Sequence, residues 1–130
     1  MVDSSAILAI VRGEPVSPGC TDALLAADSV RVSAANFLEA AVVVDGLRNP
    51  VASRKFDALV EQFSIRIEPV TERQARIARD AYRDFGRGSG HRARLNFGDC
   101  FAYALAKDVD EPLLFIGDDF GHTDVRRVLR

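Results

Sequence analysis

The sequence predicts an α/β fold in which helices cover both faces of a short, mainly parallel sheet of four to five strands. Short apolar runs typical of buried strands occur at the N-terminus and in SVRVS, IRIEPV and PLLFIG, and longer helical patterns separate them. Strands that alternate with helices are joined by right-handed crossovers, which make neighbouring strands parallel. We therefore expect one three-layer α/β/α domain over residues 1–130.

The first half of the chain predicts three helices. A helix over residues 4–11 follows the first strand, Met1 to Val2, and ends before a glycine. In SPGCTDALLAAD, Ser17 is predicted to cap a second helix, with proline in its first turn. The strand SVRVS leads into the helix AANFLEAAVVVDGL, for which Ser33 is the predicted cap.

The second half continues the same alternation. Ser53 is predicted to begin a fourth helix, and IRIEPV alternates as a strand does. Thr71 and Gln74 match a capping box for a helix that runs to about Phe85. A glycine-rich loop, 86–90, leads to the helix in LNFGDCFAYALAK, and PLLFIG predicts a last buried strand before an acidic turn.

Composition and charge exclude several classes of protein. The net charge of −2 argues against a general attraction to nucleic acid, so any basic surface must be local. The apolar runs are too short to span a bilayer, and no secretory signal pattern is present. Cys20 and Cys100 lack the spacing of a metal site, and nothing indicates an oxidising compartment. We expect a cytoplasmic protein with no membrane partner.

Acidic residues are predicted to meet at one end of the sheet. Asp3 and Asp118 each follow a strand, and Asp99 lies in the first turn of its helix. Glu39 lies on a helix face that it shares with Asn36. The ligand crevice of such a sheet lies beyond the carboxyl ends of its strands. Because like charges this close need a cation among them, the oxygen ligands predict Mg²⁺ or Mn²⁺.

Each acid also has a purely structural interpretation. Asp99 suits the positive end of a helix dipole. Asp118 and Asp119 suit a turn ahead of FGHTDV. Glu39 interrupts an otherwise apolar helix, and Asp3 directly follows an apolar strand, so these two acids favour a functional site. Convergence of the acids is stronger evidence than any one of them.

The loop GRGSGHRAR concentrates positive charge beside Asp99. Its basic residues could bind the phosphates of a nucleic acid or be solvated surface groups; they are Arg87, His91, Arg92 and Arg94. Cys100 is more typical of a small core residue than of a nucleophile, because no histidine stands in a triad-like context.

Four segments together resemble the PIN-domain ribonuclease toxins of the VapC family: VDSSAIL, NFLEA, GSGHRARLNFGDCFAYALAK and PLLFIGDDFGHTDV. The resemblance covers nearly the whole chain in the right order. It implies a PIN-like fold and the toxin of a type II toxin–antitoxin system. Such a toxin is a Mg²⁺- or Mn²⁺-dependent endoribonuclease that a cognate VapB antitoxin inhibits. Only Met1 and Val2 precede Asp3, a shorter apolar run than is usual in the family, so we expect either a short first strand or a residue missing ahead of it.

The resemblance also implies the roles of individual residues. The family's catalytic and metal-binding acids fall on Asp3, Glu39, Asp99 and Asp118. Asp119 is the alternative fourth acid, and Glu39 would act through a second ion or a water molecule. Ser5 would orient Asp3 or a metal-bound water molecule, and Asn36, on the same helix face as Glu39, is predicted to support the acids without binding the metal. The basic loop would bind the backbone of a tRNA, rRNA or mRNA substrate.

Two other functions match part of the pattern. A Mg²⁺-dependent phosphomonoesterase with an Asp nucleophile would need a second Asp two residues after Asp3, where Ser5 stands. A non-catalytic RNA- or protein-binding module would gain nothing from four carboxylates. The helices at 18–27 and 34–47 are apolar on more than one face, which predicts a homodimer, and a heterotetramer or larger assembly with antitoxin.

Overall fold

The computed structural model describes residues 1–129. Its six α-helices are α1 (Ser4–Val11), α2 (Ser17–Ala26), α3 (Ala34–Gly46), α4 (Pro50–Gln62), α5 (Glu72–Phe85) and α6 (Phe97–Asp108). Its two strands are β1 (Arg31–Ser33) and β2 (Arg66–Glu68), and a 3-10 turn spans Asp119–His122. None of these helices combines the length and the apolar character needed to cross a membrane.

The parallel sheet is smaller than the sequence predicted. β1 and β2 pair in parallel over three residues each, with Val32 opposite Ile67. Within residues 1–129 these are the only continuous strands. The α/β class and the parallel direction are confirmed, whereas the expectation of four to five strands was wrong.

Isolated parallel bridges extend this small sheet on one side. Val2 bridges Leu114, and Leu113 bridges Arg127. The Val2 amide also donates a hydrogen bond to the first carbonyl of β1 at 2.9 Å. The segment at the N-terminus is too short to count as a strand, because its third residue, Asp3, already caps α1. The predicted strand at Met1–Val2 is thus reduced to one isolated bridge, and the predicted strand in PLLFIG to two.

Side chains alternate across this row of extended segments, so the row separates two cores. Met1 and Leu113 pack in one cluster with side chains from α5 and α6. Val2 and Leu114 pack in a second cluster with side chains from α1, α2, α3 and α4. Helices therefore cover both faces, as the three-layer prediction required.

The helix starts follow the local sequence, with two corrections. Ser33 caps α3 as predicted, since its hydroxyl accepts a hydrogen bond from a first-turn amide. Ser17 is the first residue of α2 and not its cap. α4 begins before Ser53: Asn49 accepts a hydrogen bond at the cap, and Pro50 occupies the first helical position, where its missing amide hydrogen costs nothing.

Candidate active site

Three predicted acids from separate elements converge near one end of this row of strands. Asp3 lies between the first extended segment and α1, Glu39 lies on α3, and Asp99 lies in the first turn of α6. Burial is the largest cause of the raised pKa values of Asp3 and Asp99, and the charges of neighbouring acids raise both further. The topology therefore brings together carboxylates that are far apart in the sequence.

Asp3 is the most deeply buried of these acids, with 3% of its surface exposed. Its Oδ2 accepts hydrogen bonds from the Ser5 amide at 3.0 Å and the Ser5 hydroxyl at 2.6 Å. Its Oδ1 is buried and has no hydrogen-bond partner among residues 1–129. Burial raises the pKa of Asp3, the Ser5 hydrogen bonds oppose that shift, and the charge of Glu39 adds to it. An unpartnered buried oxygen of this kind suits a bound cation.

Ser5 links Asp3 to the extended segment near the C-terminus. While its hydroxyl donates to Asp3, the same oxygen accepts a hydrogen bond from the Ile116 amide at 3.1 Å. The rotamer of Ser5 is thus fixed from both sides, and with it the orientation of the Asp3 carboxylate. The positioning role that the resemblance implied for Ser5 stays a prediction, and these two hydrogen bonds are the contacts through which it would act.

Glu39 is held by side chains from α1 and α3. Its Oε1 accepts hydrogen bonds from the Ser4 hydroxyl and from the Asn36 amide, the latter at 3.4 Å. Asn36 is completely buried and also donates to the Gly98 carbonyl at 2.9 Å. The side-chain amide of Asn36 therefore connects Glu39 on α3 to the first turn of α6.

Gly98 is a residue of this site that the sequence analysis missed. A Cβ atom built at Gly98 overlaps the Glu39 carboxylate, so any other residue here would force that carboxylate to move from its present position. The requirement is for space and not for an unusual backbone, since Gly98 lies within α6. Glycine costs a helix about 1 kcal/mol relative to alanine. Its presence beside Asp99 was the available signal of a close approach.

Asp99 caps α6 and also lies among the other acids. Its amide donates to Asn96 Oδ1, and the Asn96 amide donates to Asp99 Oδ2, both at 2.9 Å. This capping box occupies one carboxylate oxygen. Burial raises the pKa of Asp99 to about 6; the bond from Asn96 opposes the shift, and the charges of Asp3, Asp119 and Glu39 add to it. The structural and functional interpretations of Asp99 are therefore compatible.

The acidic turn differs from the buried acids because both of its carboxylates are exposed. Asp118 stands at the cap of the 3-10 turn without making a side-chain capping bond, and Asp119 is the first residue of that turn. Asp119 is the one of the pair whose charge raises the pKa of Asp99, although burial is the larger cause. The structure thus brings Asp119 into electrostatic contact with the other acids.

The acids do not form a ready-made metal cluster. Among residues 1–129, no three His, Cys, Asp or Glu side chains adopt an arrangement that could hold a metal ion. The oxygen-only donors and the unpartnered Asp3 Oδ1 nevertheless match the ligand preference of a hard divalent cation. The chemistry of the site fits Mg²⁺ or Mn²⁺, and the carboxylates would have to draw closer around the ion.

The basic loop divides into two kinds of residue. Arg87, Arg92 and Arg94 are exposed and form no ion pair within the described chain. His91 Nδ1 instead accepts a hydrogen bond from the Ala93 amide at 3.1 Å, and its ring packs edge-on against the last residue of α5. The arginines are free to contact a ligand, whereas His91 shapes the loop.

Cys100 has the surroundings of a core residue. Its thiol is buried beside Asp99, and burial, followed by that negative charge, raises its pKa to about 11. A thiol with this pKa is protonated at neutral pH and is a poor nucleophile. The structure therefore agrees with the interpretation of Cys100 as packing.

The chain matches known proteins along almost its whole length. A family model described as the PIN domain matches residues 1–126. Ribonuclease VapC28 of Mycobacterium tuberculosis is 59% identical over 129 residues, which make up 99% of this chain and 97% of that protein. The chain belongs to the VapC family of PIN-domain ribonucleases.

Further VapC proteins of M. tuberculosis match over similar lengths. Ribonuclease VapC42 is 49% identical over 126 residues, covering 97% of this chain and 96% of that protein. Ribonuclease VapC30 is 40% identical over 129 residues, covering 98% and 97%. The crystal structure of the sarcin–ricin loop cleaving toxin VapC20 aligns with a TM-score of 0.72 at 16% identity, over 95% of this chain and 94% of that one. The VapC resemblance found in the sequence motifs is thereby confirmed.

Proposed function

We propose that this VapC protein is the toxin of a type II toxin–antitoxin system and hydrolyses RNA phosphodiester bonds with Mg²⁺ or Mn²⁺. The observation that carries the proposal is the convergence of Asp3, Glu39 and Asp99 from three separate elements. Burial is the first cause of the raised pKa values of the two aspartates, so a bound cation would stabilise their ionised forms. We propose that the protein acts in the cytoplasm.

Asp3 and Asp99 are the proposed principal metal ligands. When bound, a divalent cation supplies positive charge that activates water and offsets the charge building on the phosphate. Ser5 holds Asp3 Oδ2 and leaves Oδ1 available, while the capping bond holds one oxygen of Asp99. Ser4 and Asn36 hold Glu39, which we propose positions a second ion or the attacking water.

The fourth acid of the proposed site comes from the acidic turn. Asp119 has the stronger support, because its charge contributes to the raised pKa of Asp99 after the larger effect of burial. Asp118 remains the alternative, since it directly precedes Asp119 in the same exposed turn. We propose that this turn moves towards the buried acids when a cation binds.

The proposed partners follow from exposed groups of the chain. Arg87, Arg92 and Arg94 would hold the phosphates of a tRNA, rRNA or mRNA substrate without reading its sequence. A VapB antitoxin would inhibit by offering an arginine to the carboxylates. Exposed aliphatic side chains on and beside α3, such as Leu38 and Val42, supply apolar surface for a homodimer or for the antitoxin.

The test compares wild-type protein, Asp99→Asn and the matched control Asp57→Asn, which removes an exposed acid on α4. We expect wild type and the control to cut total RNA with Mn²⁺ or Mg²⁺, and expect chelation or Asp99→Asn to stop cleavage. The same proteins are assayed on a phosphomonoester. Phosphomonoester hydrolysis without RNA cleavage would favour the phosphatase alternative, and RNA cleavage unaffected by Asp99→Asn would show that the site is misplaced.

A further inference from the structure

An apolar groove of about 400 Å³ lies between α5 and the first turn of α6. Its lining includes the small side chains Ala75 and Ala78 and the rings of Tyr82, Phe97 and Phe101. We call this surface the aromatic groove. It is separate from the acids described above, and neither the proposed metal ligands nor the basic loop lines it.

Phe97 is the most unusual residue of the aromatic groove. It is 79% exposed, more than any other large hydrophobic residue among residues 1–129. Its ring meets Phe101 edge-on, with centroids 4.9 Å apart and an angle of 88° between the planes. This contact steadies the ring but leaves most of its surface in water. A ligand that covered the ring would recover the free energy of burying that surface.

Phe97 and the proposed metal ligand Asp99 belong to the same helical turn. They are the first and third residues of α6, so they lie roughly 3 Å apart along the helix axis and on different sides of it. The capping box between Asn96 and Asp99 makes this turn rigid. The two side chains project about 200° apart around the helix, so an RNA that has a phosphate at the acids would pass over the N-terminal end of α6 to place a base on the Phe97 ring.

Charge on the groove also suits RNA. Two arginines, Arg79 and Arg83, are among its lining residues. Arg83 is paired with Asp80 and Asp84, whereas Arg79 forms no ion pair within residues 1–129. An unpaired arginine beside aromatic rings is the combination with which proteins bind single-stranded nucleic acid, through phosphate contact and base stacking.

The second apolar surface of the molecule differs in chemistry. Leu38 and Val42 on α3, with Leu47 and Val51 next to it, are also exposed, but all four side chains are aliphatic. Aliphatic side chains offer no flat π surface on which a base can stack. This contrast favours RNA as the occupant of the aromatic groove.

We propose that the aromatic groove binds an unpaired nucleobase of the RNA substrate, on the other side of α6 from the cleaved bond, by stacking on Phe97. The site would make the enzyme prefer RNA that has an unpaired base, free to leave its own stack, at the position that reaches the groove. This inference rests on the proposed ribonuclease function and adds a specificity-determining residue to it.

The test uses a short unstructured RNA in which 2-aminopurine, a base whose fluorescence falls on stacking, replaces one base at a time. The RNA is added to Asp99→Asn protein, which is expected to bind without cutting. We expect quenching at one or two neighbouring positions. In the double variant that combines Asp99→Asn with Phe97→Ala, the quenching should be lost and RNA binding should weaken about tenfold. In the variant that combines Asp99→Asn with Phe97→Tyr, the quenching and the affinity should be retained. The control Val16→Ala, which truncates an exposed aliphatic side chain just before α2, should change neither.

In otherwise wild-type protein, Phe97→Ala should raise KM for RNA about tenfold and lower kcat less, with an unchanged melting temperature because the ring is exposed. Two results would overturn the inference: quenching and KM that do not depend on Phe97, or a Phe97→Ala effect that sedimentation traces to lost self-association. Failure of wild-type protein to cut RNA with Mg²⁺ or Mn²⁺ would refute the proposed function itself, which is a separate readout.

Discussion

Asp3 and Asp119 both act on Asp99 by their charge, but the protein holds them in opposite ways. Asp3 is buried, and Ser5 fixes one of its oxygens with two hydrogen bonds. Asp119 is exposed at the start of a short 3-10 turn. The buried Asp3 carboxylate is thus held in place by the protein before any cation binds, whereas the exposed Asp119 carboxylate stays hydrated.

This difference explains why the acids are near one another without forming a metal cluster. A fully assembled set of carboxylates would repel strongly in the absence of a cation. Keeping the acidic turn exposed limits that cost, and in the proposed function the turn approaches the buried acids only when a cation binds. We therefore expect substitutions in the buried part to have large effects on activity and those in the turn to have small ones.

The largest effect is expected for Asp3→Asn. The substitution removes the buried proposed ligand, so RNA cleavage should fall about 100-fold or more. Thermal stability without metal should stay the same or rise, because a desolvated charge is lost. Cleavage assays and melting curves check both expectations, with Asp57→Asn as the control. An inactive variant that also melts much earlier would indicate a structural role for Asp3.

Gly98→Ala should have the next largest effect. The new methyl group overlaps the Glu39 carboxylate, so Glu39 must move and cleavage should fall about tenfold or more. Glu39→Asp shortens the acid by one methylene group and should partly restore the activity of Gly98→Ala. The four proteins form a double-mutant cycle. Strictly additive losses in that cycle would show that Gly98 and Glu39 are not coupled.

Asp119→Asn should lower cleavage about tenfold, whereas Asp118→Asn should leave it within about twofold of wild type. The reason is that Asp119 is the acid of the turn that contributes to the raised pKa of Asp99, after burial. Initial rates at several Mn²⁺ concentrations check this, since a lost ligand should be partly compensated by more metal. The reverse ranking of the two variants would make Asp118 the fourth acid.

The smallest effect is on the pH dependence of stability. Burial raises the pKa of Asp99 from 3.8 to about 6, so between these values the folded chain binds more protons than the unfolded one. The melting temperature of metal-free protein should therefore fall as the pH rises from 4 to 6, and then level off with respect to this group. Asp99→Asn should flatten the decline. A slope that is identical in both proteins would contradict the raised pKa.

The acids could be found in the sequence because each breaks a local pattern. Glu39 interrupts an apolar helix, and Asp3 ends an apolar run, so their chemistry was visible without a structure. The capping role of Asp99 was equally local. The contact between Asn36 and Gly98 joins residues 62 positions apart, and no local pattern specifies which helices approach so closely. The strands at Met1–Val2 and in PLLFIG were predicted to be longer than they are, because their apolar residues continue past the positions at which the backbone pairs with a neighbouring strand.

The bond between Ser5 and the Ile116 amide spans 111 positions of the chain. Asp3 therefore acquires its final orientation only after nearly the whole polypeptide has left the ribosome and residues 113–116 have docked against residues 1–3. In a partly synthesised chain, Ser5 would lack its hydrogen bond from the Ile116 amide, so the Asp3 carboxylate would not be held in its final orientation. In a toxin that cuts RNA, this order of assembly would keep the nascent enzyme inactive beside the ribosome that makes it.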